Sequence, residues 1–313
     1  MNPLSGTLLF ATLLSGAAVA APAEEPAPAH PIALPVEVRE NRFFLRPRLA
    51  SGQTLTLYSD SGGGHTMLSP AVATANRLAT TAEHTPEGDL LSSADWLKFA
   101  PGAGIPRPAG KLLVRELSEL MPGLDGFLGQ DWFSGRTWTF DYLGKRLLWR
   151  APGDRPPGDR TPVHLNPDKD APRFGRIQIT VDGQALDVLF DTGATTRLTP
   201  AAVGTLGKDA AAERAASFMK AAVFDRWRAR HPEWKVLAAA EQRSGADMIE
   251  VPAVTVAGQT VGPVWFTRRP DKAFDEFMSS LMDAPVVGAL GGSGLRYFRV
   301  TVDFAAGQAV FEH

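Results

Sequence analysis

The sequence predicts a mainly β protein built from a duplicated lobe, with a helical insertion in the second copy. Three observations carry this. Short runs of β-forming residues are closed by Gly-containing turns. Pro (25) and Gly (30) are plentiful, which suits a turn-rich chain. Two signatures also recur in the same order in both halves.

The first signature is a strand delivered into an Asp-[Ser/Thr]-Gly turn. Gly52-Gln53-Thr54-Leu55-Thr56-Leu57-Tyr58-Ser59-Asp60-Ser61-Gly62 parallels Gly183-Gln184-Ala185-Leu186-Asp187-Val188-Leu189-Phe190-Asp191-Thr192-Gly193, and Leu68-Ser69-Pro70 and Leu198-Thr199-Pro200 follow. The second signature is Gly126-Phe127-Leu128-Gly129, matched by Gly288-Ala289-Leu290-Gly291. Twelve residues after its last Gly stands Asp141 in one half and Asp303 in the other. From Asp60 to Gly129 is 69 residues and from Asp191 to Gly291 is 100, so the second copy carries 31 more.

The strands Thr54–Tyr58 and Ala185–Phe190 precede the two aspartates. Arg176–Val181 alternates polar and apolar residues up to an Asp182-Gly183 hairpin signal, and Arg299–Phe304 alternates again. The extra residues fall in an Ala-rich stretch, 208–245. There Phe218, Met219, Ala222 and Trp227 share a helical face over 209–230, and a second short helix is expected after His231-Pro232. Residues 152–162 are Pro/Gly-rich, charged and aperiodic, a linker between lobes at 36–151 and 163–313.

The N-terminus reads as a targeting segment. An apolar run, Leu8–Leu14, leads to Ala18-Val19-Ala20, so 1–20 are expected to be a cleaved signal peptide, with an uncleaved anchor as the rival. The run is too short for stable insertion in a bilayer. Residues 21–35 read as a disordered spacer, and the mature protein is expected in the periplasm or secreted. Net charge is −2, which gives no electrostatic case for nucleic acid. No cysteine is present, which removes thiol catalysis.

A carboxylate at the end of an apolar strand, followed by Ser/Thr and Gly, is held partly buried with backbone amides nearby. Two such turns brought together put two carboxyl groups side by side. Both cannot ionise, so they share a proton; one can then accept a proton from water while the other polarises a carbonyl. Asp60 and Asp191 are the candidate catalytic pair. Ser61, Gly62, Thr192, Gly193 and Thr195 are the candidate support, the hydroxyls of Ser61 and Thr192 reaching across between turns. Asp141 and Asp303 sit where a strand meets a turn and read as structural. Gly62-Gly63-Gly64 lacks the Gly-Lys-[Ser/Thr] of a phosphate loop. The histidines 30, 65, 84, 164, 231 and 313 show no ligand spacing, so no metal or cofactor is expected. No G-x-S-x-G context supports a serine nucleophile.

The chain resembles the aspartic peptidases of the pepsin/retropepsin type in their two-lobed, single-chain form. The likeness rests on Val188-Leu189-Phe190-Asp191-Thr192-Gly193-Ala194-Thr195 and on the hydrophobic-hydrophobic-Gly elements at 127–129 and 289–291. It implies a pepsin-like fold, an extended peptide or protein substrate between the lobes, hydrolysis by an Asp60/Asp191 dyad, and a monomer. Two aspartates sharing one proton are what that family's active site implies. Two departures stand out. After Asp60-Ser61-Gly62 come Gly63 and Gly64, where the family has small side chains and hydroxyls, and the loop is one residue longer than its counterpart. That loop is expected to be looser or wider. None of Tyr58, Tyr142 and Tyr297 falls where the family carries its flap tyrosine, and Trp96 is the candidate substitute. These departures leave a non-catalytic protein that binds peptide or a partner as the rival reading.

Overall fold

The computed structural model of the chain describes residues 27–313, apart from 86–87, 94, 109–111, 118–121, 167–172 and 208. The leader 1–20 and the start of the spacer lie outside these residues. The protein is mainly β, with sheets of eight, nine and six strands and a two-stranded ribbon. Among the described residues no helix is long and apolar enough to cross a membrane.

The eight-stranded sheet belongs to the first half. At its centre Leu57–Ser59 runs parallel to Gly126–Leu128, with Ser59 opposite Leu128. The nine-stranded sheet repeats this in the second half, where Gln184–Phe190 runs parallel to Gly288–Leu290 and Phe190 stands opposite Leu290. The two repeated signatures are thus neighbouring strands in each sheet. The Arg176–Val181 strand forms as expected and turns at Asp182-Gly183 into Gln184–Phe190 with φ of +52° and +71°.

The halves differ on the far side of this pair. Met67–Leu68 fills the position antiparallel to Gly126–Leu128. In the second half Ser217–Lys220 fills it, while the sequence counterpart of Met67–Leu68 leaves the sheet. That segment, Thr195–Arg197, pairs with Glu213–Ala215 in the separate ribbon.

The helix expected over 209–230 is therefore shorter than the Ala-rich pattern indicated. Residues Glu213–Ala215 and Ser217–Lys220 are strands, and only Ala221–Arg230 is helical. Ser217–Lys220 has strand partners on both sides, Gly288–Leu290 and Val264–Arg269, and those ladders outweigh intrinsic propensity. The helix buries Val223, Phe224 and Trp227 and ends at His231, because the residue before Pro232 is driven out of the helical region. The second helix expected there is a turn, followed by a short strand at Val236–Leu237.

The six-stranded sheet draws on both halves, in the order 32–33, 146–150, 137–141, 299–303, 308–312, 161–162. The expected disorder over 21–35 thus gives way at Ile32–Ala33, which pairs with Leu148–Trp149 next to the buried Leu34. The halves meet where Thr137–Asp141 lies antiparallel to Arg299–Asp303, with Thr139 opposite Thr301. Equivalent residues of the repeat pair with each other there, so a local two-fold axis passes between them. Behind the junction, Trp132, Phe133, Trp138 and Phe140 form one aromatic cluster, and Phe140 meets Phe190 of the second half at 5.8 Å. Asp141 accepts from the Gly144 amide at 2.7 Å and pairs with Arg146 and Arg299. Asp303 accepts from the amides of Ala305 and Ala306. Both aspartates close turns, as the sequence indicated.

The Thr139 and Thr301 hydroxyls lie 2.7 Å apart and fully buried. Thr301→Val removes that bond but leaves Thr139 its bond from Arg150. It is expected to cost about 1 kcal/mol, read as a lowered urea midpoint with unchanged slope.

Candidate active site

The two strands deliver Asp60 and Asp191 to equivalent places. The Asp60 amide donates to the Leu128 carbonyl at 2.9 Å, and the Asp191 amide donates to the Leu290 carbonyl at 3.1 Å. Each carboxylate then accepts from the amide two residues on. Gly62 donates to Asp60 Oδ1 at 2.8 Å and Gly193 to Asp191 Oδ1 at 3.0 Å.

The turns are locked to each other by a reciprocal exchange. The Ser61 amide donates to Thr192 Oγ1 and the Thr192 amide to Ser61 Oγ, both at 3.1 Å. Ser61 Oγ also donates to the Phe190 carbonyl at 2.9 Å. Both side chains are fully buried.

This exchange sets the two carboxyl groups against each other's glycine. A methyl group on Gly62 would fall 2.5 Å from Asp191 Cγ, and one on Gly193 would fall 2.1 Å from Asp60 Cγ. Neither glycine has a positive φ. The sequence suggested glycine for turn geometry; the structure shows that close approach is the reason. With Asp60 6% and Asp191 8% exposed, burial disfavours charge on either. Burial first, then the negative charge of Asp60, drives the Asp191 carboxyl well above the usual range. Burial also raises Asp60, countered by a hydrogen bond from Asp191 and the amides of Gly62 and Gly63. Both carboxyls are thus disfavoured as anions, and a proton bound here belongs to the pair.

The Gly-rich loop after Asp60 is neither loose nor splayed. The Gln130 amide donates to the Gly63 carbonyl at 2.6 Å, and the Asp131 amide to the Gly64 carbonyl at 3.4 Å. The Thr66 amide and hydroxyl both donate to the Asp131 carboxylate. Gly63 is needed because a Cβ there would meet the Phe127 ring at 2.4 Å, whereas Gly64 faces open space. His65 places Nδ1 3.7 Å from Asp131.

Thr195 supports its turn indirectly. Its hydroxyl donates to the Gly193 carbonyl at 3.0 Å and lies 2.7 Å from the Tyr58 hydroxyl. Tyr58 also donates to that carbonyl at 2.7 Å. Sequence reasoning missed Tyr58 as a site residue. The available signal was its place two residues before Asp60, which puts both side chains on one face of the strand. Trp96 stands just beyond a hairpin formed by Thr80–Thr85 and Gly88–Ser93. It is half-buried, packs toward the main core, and meets Phe99 edge-on at 6.1 Å.

Two outcomes follow from this geometry. Gly63→Ala is expected to cost about 1–3 kcal/mol through overpacking on Phe127. Gly64→Ala should stay within about 0.5 kcal/mol of the parent, both read by chemical denaturation. The second concerns pH. Both carboxyls bind protons more tightly folded than unfolded, so stability falls as pH rises from the ordinary value of 3.8 through the raised range. Asp191→Asn should therefore raise the denaturation midpoint at pH 7, with the gain closing as pH falls toward 3.8.

No protein-family model and no curated protein sequence matches this chain.

Proposed function

We propose that the chain is an aspartic endopeptidase of the pepsin/retropepsin type, its two halves forming two lobes and Asp60 and Asp191 forming the dyad between them. The observation that supports this most is the pair of buried carboxyl groups, each set against the other's Asp-[Ser/Thr]-Gly turn. Ionised Asp60 takes a proton from a water lying between the carboxyls, and the resulting hydroxide adds to the carbonyl carbon of the scissile peptide. Asp191 gives its proton to the carbonyl oxygen as the tetrahedral species forms. Collapse breaks the C–N bond, and the proton gained by Asp60 passes to the departing amine. Carboxylic acid and amine products leave, and return of the hydroxyl proton to Asp191 restores the shared state. The substrate is an extended peptide or protein, the enzyme acts as a monomer, and the leader 1–20 directs it to the periplasm or outside.

The anchored Gly63-Gly64 loop removes one of the two supports of the rival reading, a non-catalytic peptide binder; the missing flap tyrosine is the other. The decisive experiment incubates the mature protein with a diverse peptide mixture from mildly acidic to neutral pH. Cleavage is expected, with Asp60→Asn and Asp191→Asn each lowering kcat by roughly 10²- to 10⁴-fold. The rate should follow a bell in pH whose acid limb lies above 3.8, since Asp60 must be ionised and its carboxyl is raised. Cleavage that survives either substitution removes the dyad, and saturable peptide binding without any cleavage selects the binder.

A further inference from the structure

The two aspartate turns are held by different parts of the molecule. The first is tied within its own half, by the Gln130 and Asp131 amides and the Asp131 carboxylate. The second is held within its own half by the Ala216 amide on the Ala194 carbonyl at 2.8 Å, and is gripped from the other half as well. Tyr58 is fully buried, its ring packed on Phe44 at 5.1 Å and Phe127 at 6.0 Å. Its hydroxyl donates to the Gly193 carbonyl and meets the Thr195 hydroxyl, both at 2.7 Å.

The geometry points to Tyr58 as a positioning residue for Asp191, acting through the backbone of Gly193. Gly193 donates its amide to the Asp191 carboxylate, and as glycine it has the widest torsional freedom of any residue. With its carbonyl free, the amide can rotate away from the carboxylate. The Tyr58 and Thr195 hydroxyls, 2.7 Å from each other and both within reach of that carbonyl, act on it as one bonded unit, removing the freedom on one side of the α-carbon and so fixing the other. The second half offers no equivalent reaching back: the counterpart of Tyr58 is Leu189, which lies in an apolar cluster with Phe174, Phe274 and Val286.

Further first-half contacts steady the same segment. Thr195 stands opposite Ala215 in the ribbon, and the Ala215 amide donates to the Glu40 carbonyl at 3.0 Å. Arg42, itself buried, bonds the Glu213 carboxylate at 2.5 Å and the Glu213 carbonyl at 3.2 Å. Glu40 and Asn41 make the positive-φ turn that carries these groups to the ribbon.

The catalytic consequence rests on the dyad reading above; the anchoring itself does not. The test uses the full mature protein and Tyr58→Phe, which keeps the ring and loses the hydroxyl. Hydrogen exchange is read on peptides covering 191–197 and 60–66. Exchange in 191–197 should rise by about tenfold or more, with 60–66 within about twofold of the parent. Peptide hydrolysis should lose about tenfold or more in kcat, with KM changed by less than about threefold. Thr195→Val should give the same pattern, Thr195→Ser should restore it, and Tyr58→Phe/Thr195→Val should fall no further than the weaker single variant. Unchanged exchange, equal loosening of both turns, parental kcat despite faster exchange in 191–197, or effects that multiply would each overturn the assignment. If the parent cleaves nothing, the dyad reading fails, and the exchange pattern alone decides whether Tyr58 anchors the second turn.

Discussion

The reciprocal bonds between Ser61 and Thr192 are the constraint on which the rest of the site depends. Two buried carboxylic acids placed together oppose folding, because burial and mutual repulsion both disfavour their charge. Neither strand would bring them together alone. The turns hold them because each supplies both a donor and an acceptor to the other, and both residues are shut from water, where such bonds are strongest. Glycine at 62 and 193 then lets each carboxyl come within contact of the opposite backbone.

A second self-pairing fixes the orientation of this contact. Ser61 and Thr192 are equivalent in the repeat, and so are Thr139 and Thr301, which meet in the shared six-stranded sheet. Two points define the axis relating the halves, and the Phe140–Phe190 contact packs between the sheets that carry them. The arrangement is rigid where register matters, since a slip of one residue at Thr139 would carry its hydroxyl to the opposite face.

Much of this was legible in the sequence, and the limits have physical causes. The duplication, the strands entering Asp60 and Asp191, and the turn-closing roles of Asp141 and Asp303 were readable because each is a short-range pattern. The Ala-rich stretch misled because local propensity favours helix at 213–220, whereas the partners that make it strand, 264–269 and 288–290, lie far along the chain. The Gly63-Gly64 loop looked loose because its restraints come from Gln130 and Asp131, some 67 residues away. For Tyr58 the sequence offered only its strand face, shared with Asp60. Its partners, Gly193 and Thr195, stand 135 and 137 residues downstream.

A difference between the halves bears on why the second turn is held partly from outside. In the first half the segment after the turn, Met67–Leu68, runs into the main sheet between Gly126–Leu128 and Leu112–Val114, and the sheet itself fixes the loop. In the second half Ser217–Lys220 has taken that slot. The segment after Asp191 pairs instead in a two-stranded ribbon, tied to its own half by the Ala216 amide on the Ala194 carbonyl and the Gln242 amide on the Arg197 carbonyl. The first half adds support of its own. Glu40, Arg42 and Tyr58 all reach the ribbon or the turn that feeds it. With Ser217–Lys220 in that slot, the segment after Asp191 lies outside the main sheet and takes part of its support across the junction. The Asp60 loop takes its backbone restraints from its own half, through Gln130 and Asp131, and meets the second half through Ser61, which bonds Thr192 and the Phe190 carbonyl.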